Sequence, residues 1–371
     1  MGTQVAGNGQ VPQEVVDFIA QEKSRTPNFD PKLTIELDPN RPSAQDGRVG
    51  EQPAHRLVVV GDSLTHGFQS GAIHNTHLSY PALIARALGS YDRFQHPSYD
   101  RFGGLPLNIE YFLRELEHRF GDRIEGMELA SAAMQIHNLM GEIETWWEGD
   151  AESPQRFLTR NHNLAVYGWD LYDANTRCAK DCREDIEKPT NALLKQLVSN
   201  ANERAALRVL APGPKDQEKL SPLATAAALS AAGTRETPGS GDGIETLIVM
   251  LGANNALGTV TELRVSWSQH SSYDDDGAAK DGYTVWDPEH FRQELAAVVE
   301  SVRAIRARHV IWSTVPHVTI APIARGVGDK VSPSSRYFPF YTRPWIAEDR
   351  FDPAKHPRIT ADEARAIDAA I

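Results

Sequence analysis

A serine, a glycine and an asparagine each follow a separate apolar run of the sequence. They are Ser63 after the run 55–61, Gly168 at the end of the run 163–168, and Asn254 after the run 246–251. A serine hydroxyl becomes a useful nucleophile only when a neighbouring base takes its proton. The intermediate that it forms is stabilised by N–H donors, which a glycine turn and an asparagine side chain supply. These three residue types together therefore indicate acyl transfer.

Each of the three residues also has an ordinary structural interpretation. Gly-Asp-Ser is a common turn composition around Ser63, and Gly168 suits a backbone with positive φ. Asn254 is equally compatible with capping a turn through its side chain. Only the three residues together favour catalysis over these alternatives.

The surrounding sequence alternates apolar strand-like runs with helical periodicity. The β-branched run 55–61 shows no alternation, which is typical of a strand buried on both faces of a parallel sheet. The predicted strands are 55–61, 163–168, 246–251 and 309–315, and the predicted helices are 80–88, parts of 105–147, 191–207 and 288–306. We interpret 211–243 as a surface insertion and 316–357 as a loop-dominated stretch that shapes a site.

This alternation predicts an α/β fold, a three-layer sandwich around a mainly parallel sheet. Ligands bind such sheets beyond the carboxyl ends of the strands, where Ser63, Gly168 and Asn254 are expected. Residues 1–54 are rich in polar residues, Gly and Pro, and we expect an N-terminal extension. Residues 55–371 are predicted to form one domain with insertions.

Three blocks of the sequence resemble the SGNH (GDSL) family of serine hydrolases. Gly61–Leu64 reads Gly-Asp-Ser-Leu and resembles the first block of the family, Gly168 resembles the glycine of the second, and Gly252–Asn255 is similar to the third. The third block departs from the family in Asn255, where Asp is usual. The resemblance implies that Ser63 is the nucleophile and that the Ser63 N–H, the Gly168 N–H and the Asn254 side chain form an oxyanion hole. It implies a lipid, acyl or acetyl ester as substrate, and neither a metal nor an organic cofactor.

The catalytic base of that family is a histidine in an Asp-x-x-His block near the C-terminus. The sequence contains one such string, Asp287–His290, which we interpret as the start of a helix with Asp287 as N-cap and Pro288 in the first turn. His317 and His356 lack an aspartate three residues before them. We therefore expect the catalytic Asp and His beyond Ile371. Without them, the alternative is a non-catalytic ligand-binding module on the same fold.

Four polar residues near Ser63 in sequence are interpreted as non-catalytic. Asp62 is expected to have a structural role, because at a strand end it points away from the nucleophile. His66, His74 and His77 are expected at the surface.

Composition excludes some classes of partner. The formal net charge of −12 and the pI near 5.6 argue against nucleic-acid binding, which needs a concentrated excess of Lys and Arg. The longest strongly apolar run, 247–251, is too short for a transmembrane helix, and residues 1–18 lack the features of a signal peptide. The cytoplasm is the default expectation, with secretion and the oligomeric state left open.

Overall fold

The computed structural model describes residues 52–121, 123–149, 160–186, 198–211, 218–261, 266–268, 280 and 282–316. Predictions for 1–51, for the loop from 317 onward and for any downstream base lie outside these residues. The chain divides into two compact units. Of the described residues, 52–251 and 296–314 belong to one unit, called here the sheet unit, and 252–295 and 315–316 belong to the other.

The helices and strands of the described residues follow one another in this order: β1 His55–Gly61, α1 Ser63–His66, β2 Phe68–Gln69, β3 Ala72–Ile73, α2 Tyr80–Ala87, β4 Leu105–Pro106, α3 Ile109–Phe120, α4 Leu129–Gly149, α5 Leu171–Thr176, α6 Ala179–Ile186, α7 Ala201–Leu210, α8 Pro222–Glu236, β5 Ile244–Met250, α9 Asn254–Thr261, α10 Pro288–Ile305 and β6 His309–Trp312. No helix among the described residues has the length and apolar composition needed to cross a membrane.

A parallel sheet of order β1-β5-β6 forms the centre of the sheet unit. β1 is buried from Leu57 to its end, as predicted for a strand covered on both faces. One face of β1 packs on α2 through Leu57 and Val59, and α8 contacts both β1 and β5. The predicted α/β class with a parallel sheet is therefore confirmed for the described residues.

The predicted strand 163–168 is only partly formed. A single parallel bridge joins Asn163 to Val59, and two hydrogen bonds continue the pairing, from Leu164 N to Val59 O (2.9 Å) and from Val166 N to Gly61 O (3.1 Å). The segment therefore runs beside β1, along the edge opposite β5, and brings its end to the same rim.

A second core lies around the short antiparallel sheet β2-β3-β4 and the helices that follow it. Its fully buried members include the aromatic residues Tyr99 and Trp147, which pack together with α3, α4 and α7. The Trp147 indole donates a hydrogen bond to the Gly104 carbonyl (3.1 Å). Tyr99 connects this core to α1, because its hydroxyl group bonds to the His66 ring (2.9 Å).

Four boundaries or faces predicted from the sequence are wrong. The supposed insertion 211–243 contains α8, a helix of 15 residues that begins with Ser221 as N-cap and buries Leu223 and Leu229. Its many alanines are strong helix formers, although they resemble loop composition when counted with Ser, Gly and Pro. Of the predicted helix 191–207, residues 191–197 lie outside the described residues, 198–200 are not helical, and α7 runs from 201 to 210. β6 ends at 312 instead of 315.

The helical periodicity of 80–88 predicts an apolar face of Leu83, Ile84, Ala87 and Leu88, and the buried face of α2 differs from it. The helix lies where the sequence indicated, but Leu83 and Leu88 are exposed, and Ala82 and Ala85 are buried against the sheet. Small side chains permit close approach of this helix to the strands, so the larger residues face outward.

Candidate active site

Ser63 is the first residue of α1 and follows directly on β1. A Cβ atom at Gly61 would overlap the Thr65 side chain, so the tight strand-to-helix turn requires glycine there. The side chain of Asp62 caps α1 by accepting a hydrogen bond from Leu64 N (3.1 Å). These contacts fix Ser63 at the carboxyl end of β1, where it is partly exposed.

Asp62 is almost completely buried, and burial raises its pKa from 3.8 to about 6. The expectation that it is structural is confirmed by its role as the N-cap. No histidine of the described residues forms a hydrogen bond with its carboxylate, so it does not orient a base there.

Gly168 reaches the same rim as Ser63. Val166 N bonds to Gly61 O, and Ser63 and Gly168 each lie two residues further along their parallel segments. Gly168 has φ +80°, a conformation that strongly favours glycine. The interpretation of Gly168 as a turn residue with positive φ is thus confirmed. This conformation is compatible with a donor role of the Gly168 N–H.

Two backbone N–H groups at this rim have no acceptor among the described residues. They are those of Ser63 and Gly168, whereas the neighbouring N–H groups of Leu64, Tyr167 and Trp169 all donate hydrogen bonds. Preorganised N–H donors of this kind stabilise the oxyanion of a tetrahedral intermediate. The sheet unit therefore places a serine hydroxyl and two available donors at one rim.

Asn254 belongs to the other compact unit. It is the first residue of α9 and is partly exposed, and the adjacent Asn255 is buried and accepts a hydrogen bond from Trp286 N through its carbonyl oxygen. The structure thus brings together two of the three predicted site residues, and Asn254 stays a predicted third donor.

No histidine of the described residues forms a hydrogen bond with the Ser63 hydroxyl. His290 bonds to the Ser268 hydroxyl (2.8 Å), and Asp287 caps α10 by accepting from Glu289 N (2.8 Å). The interpretation of Asp287–His290 as a helix start is therefore confirmed. His317 and His356 lie outside the described residues.

The expectation that His66 lies at the surface is wrong. His66 is fully buried at the end of α1, and both of its ring nitrogens form hydrogen bonds, to Tyr99 and Tyr167. His66 is the last residue of α1, and its side chain is buried through its contacts with Tyr99 and Tyr167. His77 is exposed as expected, and His74 is partly buried.

Sequence reasoning missed two further residues that support the rim. Asn163 is buried and donates from Nδ2 to Thr65 O (3.0 Å), which ties α1 to the neighbouring segment. Asn202 contacts the turn at Gly168 from α7. Neither residue carries a spacing signal relative to Ser63, because both are brought there by tertiary packing.

No group of three or more His, Cys, Asp or Glu side chains among the described residues is arranged to hold a metal ion. The expectation that no cofactor is needed stays a prediction. Comparison of the chain with protein-family models, with curated proteins and with solved structures finds no match.

Proposed function

We propose that this protein is a serine hydrolase of the SGNH type that cleaves a carboxylic ester through an acyl-enzyme at Ser63. The observation that carries this proposal is the meeting of Ser63 with two unengaged N–H groups, its own and that of Gly168, at the carboxyl rim of a parallel sheet. The three-layer arrangement of that family belongs to the proposal, as do the roles of these residues.

The proposed reaction has two balanced steps. The Ser63 oxygen attacks the ester carbonyl carbon while a base takes the hydroxyl proton, and the collapse of the intermediate releases the alcohol with that proton. Water, activated by the same base, then attacks the acyl-enzyme and releases the carboxylic acid and free Ser63. In both steps the carbonyl oxygen becomes an oxyanion, which the Ser63 and Gly168 N–H groups stabilise. The resemblance to the family assigns the Asn254 side chain as a further donor. Each such donor is worth about two to three orders of magnitude in rate.

The resemblance to the family assigns the base to a histidine C-terminal to the last strand. The described residues end at 316 and include no histidine bonded to Ser63. The second candidate function is a ligand-binding module that uses the same rim without catalysis and needs no base. The two N–H donors would then bind a carboxylate or carbonyl oxygen.

Turnover of p-nitrophenyl esters from acetate to octanoate separates the two candidates. We expect hydrolysis by the whole protein, its loss in Ser63→Ala, and its retention in Ser131→Ala, which removes an exposed hydroxyl on α4. The acyl length that gives the highest kcat/KM identifies the substrate class. No hydrolysis by the wild-type protein favours the binding module, and equal activity of Ser63→Ala and wild type overturns the assignment of Ser63 as the nucleophile.

A further inference from the structure

The turn that presents Gly168 is held by two polar side chains that bond to Tyr167. His66 accepts a hydrogen bond at Nδ1 from Tyr167 N (3.2 Å), and Asn202 donates from Nδ2 to the Tyr167 carbonyl oxygen. Because the peptide group is planar and trans, the C=O of Tyr167 and the N–H of Gly168 point in opposite directions along one rigid unit. Fixing the Tyr167 carbonyl therefore fixes the direction of the Gly168 N–H.

Asn202 is itself held in one orientation. The indole N–H of Trp169 donates to Asn202 Oδ1 (2.6 Å), and because an indole only donates, the amide NH₂ must face Tyr167. A Cβ atom at Gly168 would overlap Asn202 Nδ2. The glycine therefore provides the space that allows this amide to reach the preceding carbonyl.

His66 is restricted to one tautomer by its partners. Tyr99 donates its hydroxyl proton to Ala205 O (2.9 Å), so the Tyr99 oxygen accepts from His66 Nε2–H (2.9 Å). His66 Nδ1 is then unprotonated and accepts from Tyr167 N–H. Burial lowers the pKa of His66 from 6.5 to about 3, so the neutral ring persists in weak acid.

We propose that Asn202 and His66 are positioning residues that aim the Gly168 N–H at the oxyanion. This inference rests on the proposed function, because it assigns a purpose to the turn only if Ser63 reacts. Asn202 acts on the peptide unit that contains the donor, and His66 acts on the unit before it.

The first test replaces the donor of Asn202 without changing its shape. Asn202→Asp keeps an acceptor for the Trp169 indole and places an oxygen against the Tyr167 carbonyl. We expect kcat for p-nitrophenyl acetate to fall roughly 10- to 100-fold, with KM within about threefold of wild type, because the lost interaction belongs to the transition state. Asn138→Asp adds the same charge at an exposed position of α4 and is expected to keep the wild-type kcat.

The second test compares two substitutions of His66. Asn places an amide oxygen near the position of Nδ1 and retains an acceptor for Tyr167 N–H, whereas Gln retains a donor toward Tyr99 and loses that acceptor. We expect His66→Gln to lower kcat about tenfold or more, and His66→Asn to recover most of it. A merely structural residue would show parallel losses in both variants, in step with their melting temperatures.

Substitutions of Asn202 and His66 also change interior packing, so a test without a variant is added. ¹⁵N NMR of histidine-labelled wild-type protein reports which nitrogen of His66 carries the proton. A proton on His66 Nε2 at pH 7 supports the inference, and a proton on Nδ1 overturns it. If wild type is active and folded Asn202→Asp and His66→Gln keep the wild-type kcat, the positioning role alone is overturned. A wild-type protein that neither hydrolyses p-nitrophenyl esters nor reacts with a fluorophosphonate overturns the proposed function itself, and the catalytic purpose of the turn with it.

Discussion

Acidification from pH 7 to pH 5 is expected to destabilise the sheet unit through two buried histidines. Burial lowers the pKa values of His66 and His162 from 6.5 to about 3. Between these values the unfolded chain binds protons that the native state does not, so stability falls as the pH falls. Each histidine then costs about 2 kcal/mol at pH 5, at 1.36 kcal/mol per pKa unit.

Asp62 opposes this loss in part. Its pKa is raised to about 6, so the native state binds a proton more readily than the unfolded chain. The free energy of unfolding that this group removes above pH 6 is therefore regained on acidification. That recovery amounts to about 1.3 kcal/mol between pH 7 and pH 5. The net expected loss from these three groups is therefore about 2 to 3 kcal/mol.

Urea unfolding followed by tryptophan fluorescence at both pH values measures this change. His162→Asn removes one of the two titrating rings, so its acid-induced loss is expected to be about 2 kcal/mol smaller than that of wild type. His118→Asn, at an exposed position of α3, serves as the control and is expected to behave as wild type. A protein equally stable or more stable at pH 5, or a His162→Asn variant with an unchanged acid loss, would refute the reasoning.

Two further substitutions test the rim directly. Gly168→Ala is expected to lower the free energy of unfolding, measured with urea, by about 1 kcal/mol or more, because the backbone of residue 168 has a positive φ. It is also expected to lower the rate of p-nitrophenyl acetate hydrolysis about 100-fold, because the added methyl group displaces Asn202. An unchanged rate contradicts the donor role of Gly168. Asp62→Asn keeps the cap on Leu64 N without a buried charge. The stability that the raised pKa of Asp62 gives the wild-type protein is present below pH 3.8 and is lost as the pH rises through 6. The variant is therefore expected to be about 1 to 3 kcal/mol more stable than wild type at pH 8 and equal to it near pH 4. Equal urea midpoints at pH 8 would exclude a desolvated carboxylate at Asp62.

The parts of the fold with a strong local signal could be predicted from the sequence. The strand 55–61 coincides with β1, and the helix starting at Pro288 was indicated by its N-cap and its periodicity. α8 was missed because its alanine-rich composition lacks a clear apolar stripe, although it is buried on the sheet. Burial of α8 depends on partners distant in sequence, which local patterns do not report.

In the candidate site too, residues with a local signal could be predicted, and those placed by tertiary packing could not. Ser63 and Gly168 could be located because each follows a strand-like run, and strand ends of a parallel sheet share one rim. The burial of His66 could not be predicted, because it depends on Tyr99, 33 residues away. Asn202 was missed for the same reason, since α7 brings it to the turn from another part of the chain.

The most direct test of the central claim is covalent labelling of the whole protein with a fluorophosphonate, followed by mass spectrometry of its peptides. If Ser63 is an activated nucleophile, one equivalent of probe is found on the peptide that contains Ser63, and Ser63→Ala shows none. Wild-type protein without an adduct, or with the adduct on another serine, would contradict the assignment of Ser63 as the nucleophile.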